Sequence, residues 1–512
     1  MVNQVWLPER DPCQPACKSS RMPELRRTLA YSAAQSYIGV ALQLVSTVVL
    51  SRILSPAEVG VFVLATVFSA LATNFRDFGI AEYLIQAKQL SVQNIRAAFA
   101  VNIGMSWAMG LLMWFGSSPV GAFYRSDVVA DVMRVQAAGF LLIPFGAISQ
   151  AWFRREMNFK PLFMASVLAD VLALVLSITL ALKGFGAMSL AWSGLAGAAI
   201  TVVVSLYFRP PDFPRLPGLR GIREVLHFGG FASSIYVLGQ LGRSAPEMII
   251  GKVQSVSDVA TFSRAGGLVQ LFRQLVLRAV VPVCLPYFSK AVREENNVNR
   301  AYMRGMAIFT VIGWTFLGFL ALAAYSAVRL VYGDQWSASV PLARILCIAG
   351  AVELVHHLAK EALLSHGQVK LATRLQIMLQ VTQVLGLSAV VPFGLLGACW
   401  GMLAAALLGL VLSQWHLHVG TGFSLGALWD ACRSSLAVSA LALAPMAVIF
   451  VLVPASEANY LRLLALGGAV TALCWLLALR YTAHPLWADL AGAALPLWKR
   501  LTLIVGRAPR TP

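Results

Sequence analysis

Residues 162–182 read LFMASVLADVLALVLSITLAL, and this stretch decides the class of fold. Its only charged residue is Asp170, which lies near the middle. A helix of about 20 mostly apolar residues is long enough to cross the hydrocarbon core of a bilayer. Stretches of similar length and composition recur along the chain, so the sequence predicts a protein that spans a membrane several times.

The overall composition agrees with this interpretation. Of the 512 residues, 58% are apolar and 12% are charged, whereas a soluble domain carries roughly 25% charged residues. A water-soluble globule needs a polar shell that this chain cannot supply. The composition therefore excludes an ordinary cytosolic enzyme or a secreted domain, and it predicts an all-α polytopic membrane protein.

Fourteen segments are long and apolar enough to be membrane spans. Short breaks that contain Pro, Gly or clustered polar residues separate them, as at Ser55-Pro56 and Lys183-Gly184. The predicted spans are 28–53, 58–82, 95–117, 128–151, 160–182, 186–207, 222–247, 258–285, 302–327, 338–361, 368–391, 394–415, 428–453 and 460–481.

The basic residues give an orientation to these spans. With the amino terminus placed inside, 26 of the 40 Lys and Arg residues fall in inner segments and 6 in outer segments. Short inner loops are enriched in Lys and Arg, so both termini are expected on the cytoplasmic side of the membrane. The net charge of +18 reflects this topology, and nucleic acid is not an expected partner.

An internal repeat relates the two halves of the chain. Residues 55–62 match residues 255–262 in a Ser, an acid, a Val and a Phe, and residues 185–192 match 393–400 in Phe-Gly and Trp. The unit of the repeat is six spans, so both copies face the same way, about an axis along the membrane normal. The sequence thus predicts two six-helix bundles in parallel repeat plus two C-terminal helices.

The predicted domain order follows from the repeat and from the polar ends of the chain. We expect a cytoplasmic tail, an N-terminal six-helix bundle, a cytoplasmic linker, a C-terminal six-helix bundle, two additional transmembrane helices and a cytoplasmic amphipathic tail. Their predicted limits are 1–24, 25–208, 209–221, 222–418, 419–483 and 484–512.

Eight basic residues remain inside the predicted spans, where each costs at least about 2.5–3.5 kcal/mol at the helix centre. Such residues face a wet cavity, an acidic partner or an anion, and some near span ends reach the lipid headgroups. Arg suits a phosphate because its planar fork binds two oxygens. The candidates for binding an anionic passenger are Arg76, Arg243, Arg264, Arg273 and Arg278.

Two acids near mid-depth are candidates for coupling transport to protons or sodium. Asp170 has no basic neighbour in sequence, and Glu353 begins a run that continues with His357 and Glu361 at helical spacing. Each has an alternative role as the partner of another helix. No catalytic constellation, metal-ligand spacing or phosphate-binding loop is present, so we expect a transporter without a bound cofactor or metal, rather than an enzyme.

Four stretches resemble a known family. They are residues 50–62, LSRILSPAEVGVF; residues 74–80, NFRDFGI; residues 153–159, FRREMNF; and residues 332–336, YGDQW. With these motifs the chain is similar to the Wzx-type lipopolysaccharide and exopolysaccharide flippases of the multidrug/oligosaccharidyl-lipid/polysaccharide exporter superfamily. The resemblance covers residues 25–480.

The resemblance implies a function. Members of the family move undecaprenyl-pyrophosphate-linked oligosaccharide repeat units to the outer leaflet by alternating access, with the diphosphate in a cationic cavity and the lipid tail in the bilayer. A polysaccharide polymerase and export machinery would be partners. The alternatives are a peptidoglycan-precursor flippase, a multidrug/cation antiporter of the same superfamily and, from another class, a membrane glycosyltransferase or polymerase.

Overall fold

A computed structural model describes most of the chain. The described residues are 21–77, 79–87, 90–211, 213–214, 216–277, 284, 287–290, 292, 298–423 and 425–491. The predicted tail at 1–24 and the predicted tail at 484–512 lie largely outside them.

The described residues form α-helices joined by short turns, and they contain no β-strand. We number the helices in chain order: α1 Arg21–Ile53, α2 Pro56–Asp77, α3 Ile80–Gln86, α4 Val92–Tyr124, α5 Asp127–Arg155, α6 Phe159–Leu182, α7 Ala187–Tyr207, α8 Ile222–Val253, α9 Val256–Phe272, α10 Val298–Leu322, α11 Ala324–Val331, α12 Ser339–Leu354, α13 Ala359–Ser365, α14 Val369–Val390, α15 Leu395–Thr421, α16 Leu425–Leu452 and α17 Tyr460–Tyr481.

The all-α polytopic membrane fold is confirmed, but the predicted count of fourteen spans is not. Within the described residues, twelve helical segments are long and apolar enough to cross a membrane. The predicted spans 222–247 and 258–285 have no counterpart among the twelve. Helix α8 carries Arg223, Glu224, Arg243, Glu247 and Lys252, which lower its hydropathy, and the second segment runs onto residues outside the described part.

The helices divide into two units by their internal contacts. Unit 1 extends to Thr261 and includes the turn Val331–Gln335, and unit 2 comprises Phe262–Leu330 and the chain from Trp336 onward. Helix α8 packs on α2 and α4 within unit 1. The domain limits derived from the sequence repeat stay a prediction.

The two stretches that the repeat aligns adopt the same local structure. Ser55 caps α2, where its backbone N–H donates to Glu58 Oε2 at 2.7 Å and Glu58 N–H donates to Ser55 Oγ at 3.4 Å. Ser255 caps α9, where its hydroxyl donates to Asp258 Oδ2 at 2.6 Å and accepts from Asp258 N–H at 3.2 Å. The bonds of Ser55 and Glu58 form a capping box, and Ser255 caps α9 through its hydroxyl; both satisfy amide groups that a helix start leaves unbonded.

The predicted linker at 209–221 belongs to unit 1 and is fixed on the helices beside it. Arg209 donates to Ser149 Oγ and to the carbonyl oxygen of Phe145, each at 2.8 Å. The N–H of Gly218 donates to the carbonyl oxygen of Arg96 at 3.0 Å. These bonds hold the connection between α7 and α8 on α4 and α5.

A close approach inside unit 1 brings the start of α2 against the start of α9. Gly60 faces Val256 so closely that a methyl group at residue 60 would overlap the Val256 carbonyl oxygen. By contrast, a methyl group at Gly104 of α4 would meet no atom within 4 Å. The first glycine is therefore required by packing and the second is not.

We expect Gly60→Ala to destabilise the protein by about 1–3 kcal/mol, because backbone atoms must shift to admit the methyl group. The matched control Gly104→Ala is expected to be neutral or to stabilise by up to about 1 kcal/mol, because alanine favours the helix. Thermal unfolding in detergent measures both variants. Equal melting temperatures for the two would contradict the packing described.

A buried histidine ties three segments of unit 2 together. His484 Nδ1 accepts from the N–H of Leu486 at 3.2 Å, and its Nε2 lies 3.2 Å from Ser435 Oγ on α16. The Ser435 hydroxyl donates to the carbonyl oxygen of Ala307 on α10 at 2.9 Å. Because Nδ1 accepts, the ring must be neutral with its proton on Nε2. Burial lowers the pKa of His484.

This arrangement predicts a loss of stability in acid. The unfolded histidine titrates near pH 6.5 and the folded one at lower pH, so its contribution is complete above about pH 6.5 and is lost as the pH falls toward the folded pKa. Melting temperatures from pH 8 to pH 5 should fall more steeply for the wild type than for His484→Gln. Parallel curves would show that His484 is not the titrating group.

Candidate functional site

The membrane-length segment Ser339–Ser365 is interrupted at residues 355–358, between α12 and α13. The N–H groups of Val355 and His356 bond the carbonyl oxygens of Val352 and Glu353, three residues back, at 3.1 and 3.2 Å. The carbonyl oxygen of Ala351 thereby loses the amide it would bond in a regular α-helix. Trp314 Nε1 of α10 donates to that oxygen at 2.8 Å, as the hydrocarbon region requires of any freed backbone group.

Two of the sequence-predicted site residues meet at this interruption. Arg273 is the first residue of a π-helical turn, Arg273–Leu277, that continues α9, and π turns occur frequently at functional sites. Its Nη2 lies 2.5 Å from Glu353 Oε2, in the last turn of α12. The two side chains remain 42% and 27% exposed. The anion-binding candidate and one coupling candidate therefore form a partly exposed ion pair.

The neighbouring histidines lie in the interruption itself. The His357 ring stacks on Phe309 of α10, with 5.9 Å between centroids and 22° between planes. Glu353 lies on α12 and Glu361 on α13. The predicted stripe through Glu353, His357 and Glu361 is therefore not a continuous helical face, because the backbone leaves the α-helical path between them.

Arg76 is paired with the acid beside it, and its role in binding an anion stays a prediction. Its guanidinium binds Asp77 Oδ1 through Nη2 at 2.5 Å and through Nε at 3.0 Å. It also lies over the ring of Phe140, 5.7 Å from the centroid. Arg76 lies in the last turn of α2, and its long side chain reaches back to the adjacent acid.

The remaining arginine candidates have separate surroundings. Arg243 donates to Gln240 Oε1 through Nη2 and Nε at 2.9 and 3.3 Å, and Arg264 lies over the ring of Trp336 at 5.2 Å. Arg278 lies outside the described residues. Arg76 and Arg243 belong to unit 1, whereas Arg264 and Arg273 belong to unit 2, and their shared passage stays a prediction.

Asp170 lines a polar cavity of about 410 Å³ inside unit 1. Its Oδ2 lies 3.4 Å from Ser166 Oγ, the donor, and faces Gly39 of α1. Four helices contribute hydrogen-bonding side chains to the lining, namely Ser32, Gln35 and Ser36 from α1, Gln150 and Arg154 from α5, Ser166 and Asp170 from α6, and Thr201 from α7.

The sequence analysis identified Asp170 but missed its companions. Gln150 and Arg154 are four residues apart, so they lie on one face of α5, and this spacing was the available signal. Because the sequence predicts a span that ends at residue 151, Arg154 is expected in an inner loop rather than on the helix. In the structure α5 continues to Arg155.

The helices and their intramembrane charges define a polytopic membrane protein of the transporter type. The chain belongs to the polysaccharide biosynthesis protein family, whose model matches residues 49–341. This confirms the resemblance to the Wzx-type polysaccharide flippases.

Two curated relatives and one solved structure agree with this assignment. The chain is 21% identical over 351 residues to the lipopolysaccharide biosynthesis protein WzxC of Escherichia coli K12, covering 68% of this chain and 71% of that protein. It is 22% identical over 431 residues to the teichuronic acid biosynthesis protein TuaB of Bacillus subtilis 168, and the match covers 80% of this chain and 85% of TuaB. The solved structure of the lipid II flippase MurJ in an inward closed conformation superposes on this chain with a TM-score of 0.68 at 12% identity. The superposition covers 88% of this chain and 99% of MurJ, and it shows that the two share a fold.

The interrupted helix yields a prediction about Trp314. Replacing it with Phe keeps the ring but leaves the Ala351 carbonyl oxygen without its donor, which should cost about 1–3 kcal/mol. Trp400→Phe is the control, because Trp400 is 59% exposed on α15. Thermal unfolding in detergent should show a lower melting temperature only for Trp314→Phe, and equal values would show that the bond contributes nothing.

Proposed function

We propose that the protein is a flippase of the bacterial inner membrane that moves undecaprenyl-pyrophosphate-linked oligosaccharide repeat units to the outer leaflet. The product would serve exopolysaccharide or lipopolysaccharide synthesis, and both termini would lie in the cytoplasm. Membership of the polysaccharide biosynthesis family and the similarity to WzxC and TuaB support this proposal.

The observation that carries the proposal is the partly exposed guanidinium of Arg273 in the π turn of unit 2. A guanidinium has five N–H donors, and among the described residues only Nη2 of Arg273 has a partner, Glu353. The remaining donors can bind phosphate oxygens in the paired geometry that Arg favours. Arg76, Arg243, Arg264 and Arg278 would contribute further positive charge along an alternating-access passage.

A peptidoglycan-precursor flippase is the second candidate, supported by the fold shared with MurJ. The passenger would again be a diphosphate-linked lipid, so the same role for Arg273 applies. The two functions differ in the sugar carried and are separated by which lipid-linked precursor accumulates when the gene is deleted.

Asp170 is the stronger candidate for coupling transport to an ion gradient. Among the described residues its carboxylate has no ion-pair partner, and it lines a cavity whose other side chains are mostly polar. A proton or a sodium ion is small enough to enter and is attracted by an unpaired carboxylate. Glu353, the other candidate, is engaged by Arg273.

Deletion of the gene and complementation test the role of Arg273. Arg273→Ala should lower export of the lipid-linked repeat unit by about 10–100-fold, because a hydrogen bond to a charged group contributes about 1.5–3 kcal/mol. Arg433→Ala is the control, since that arginine forms an exposed pair with Asp430. Accumulation of repeat units at the inner leaflet measures export, and full activity of Arg273→Ala would contradict the proposed site.

A second prediction concerns the ion gradient. Asp170→Asn should make transport insensitive to collapse of the proton or sodium gradient, because the amide cannot take up a proton and lacks the negative charge that attracts a sodium ion. Export in membrane vesicles with and without an ionophore measures this dependence, and Asp430→Asn is the matched control. An unchanged ionophore response in Asp170→Asn would exclude Asp170 as the coupling group.

A further inference from the structure

We propose that Glu353 is a built-in substitute for the passenger's phosphate, holding Arg273 in the empty protein and giving way when a diphosphate-bearing lipid binds. This inference rests on the proposed function and adds a specific role for the acid. Glu353 would be a positioning residue, because it acts on the passenger through Arg273.

The geometry of the Arg273–Glu353 ion pair is that of a weak contact, which a competing ligand can replace. One nitrogen of Arg273 contacts one oxygen of Glu353, at 2.5 Å, rather than the two parallel bonds that the groups could form. Both side chains are partly exposed, and an ion pair of this kind contributes only about 0–1 kcal/mol. A diphosphate has more charge and more acceptor oxygens than one carboxylate, so it can displace Glu353.

A second ion pair in unit 2, between Arg329 and Glu457, has an arginine that several neighbouring groups hold in place, and it serves as a comparison. Arg329 is buried, with its side chain 9% exposed, and it donates from Nη2 to Glu457 Oε1 at 2.8 Å. Its Nη1 donates to the hydroxyl of Tyr325 at 2.5 Å, and the rings of Tyr325 and Tyr460 flank the guanidinium. Among the described residues Arg273 has a single contact and is more exposed than Arg329, whereas Glu457, at 81%, is more exposed than Glu353, at 27%. The two arginines therefore differ in how many neighbouring groups hold them.

The position of Glu353 connects the exchange to the backbone. Arg273 begins the π turn, and Glu353 lies one residue before the end of α12. The carbonyl oxygen of Glu353 also accepts from His356 N–H in the interruption. Release of the carboxylate would therefore free a helical residue whose carbonyl oxygen bonds the irregular backbone, and discrete rearrangements of such segments are a recognised route from binding to conformational change.

Binding of undecaprenyl diphosphate without sugars tests this proposal. The full-length protein in lipid nanodiscs is titrated and its intrinsic fluorescence is followed. Glu353→Gln keeps the shape of the side chain and removes the competing charge, so the apparent Kd should fall about 2–5-fold, the factor that corresponds to the strength of an exposed ion pair. Glu353→Asp retains a competing charge and should bind close to the wild-type value.

Two further variants give the experiment its controls. Asp489→Asn disrupts the Arg304–Asp489 pair, which has a similar distance and exposure, and it should leave the Kd unchanged. In an Arg273→Ala background, Glu353→Gln should no longer tighten binding of the probe, because there is no guanidinium for which the carboxylate and the diphosphate compete.

The outcomes separate the inference from the proposed function. A wild-type protein that binds the probe and a Glu353→Gln variant that melts normally but binds no more tightly would overturn the inference alone. If neither the wild type nor any variant binds the probe, both the inference and the proposed diphosphate passenger are wrong. Tighter binding by Glu353→Gln that persists without Arg273 would also overturn the inference.

Discussion

The structure depends on one constraint, which is that groups inside a bilayer must find their hydrogen-bonding and ionic partners within the protein. Regular helices meet it for the backbone, and side chains contribute at two places where a helix ends. Trp314 donates to the carbonyl oxygen freed where α12 stops. At the end of α1, the side-chain amide of Gln335 donates to the carbonyl oxygens of Ser51 and Leu54. In both places a specific side chain from another segment bonds the backbone.

Under the same constraint, the partners of the charged side chains indicate where a ligand could bind. Several of the described charged side chains are engaged by a neighbouring group, as Arg76 is by Asp77 and Arg209 by the carbonyl oxygen of Phe145. Two arrangements keep capacity for a ligand: the one-contact pair of Arg273 and Glu353 in unit 2, and the cavity around Asp170 in unit 1. A transporter for an anionic lipid needs a site for its passenger and, if it is driven, a site for an ion. These two arrangements supply a separate candidate for each.

Local patterns made part of this predictable from sequence. The apolar stretches predicted most of the helices, and the break at Ser55-Pro56 predicted the boundary between α1 and α2, because both signals are local in the sequence. The interruption at 355–358 contains no Gly or Pro, so nothing local predicts it, and the π turn at Arg273 depends equally on tertiary packing. The Asp170 cavity draws side chains from four helices, from Ser32 to Thr201, and only the folded chain brings them together.

The central claim is that the guanidinium of Arg273 binds the diphosphate of a lipid-linked passenger. A structure of the full-length protein in nanodiscs with undecaprenyl diphosphate tests it most directly. We expect phosphate oxygens within hydrogen-bond distance of Arg273, and the Glu353 carboxylate no longer bonded to that guanidinium. Phosphates bound elsewhere, with the bond between Arg273 and Glu353 intact, would contradict it.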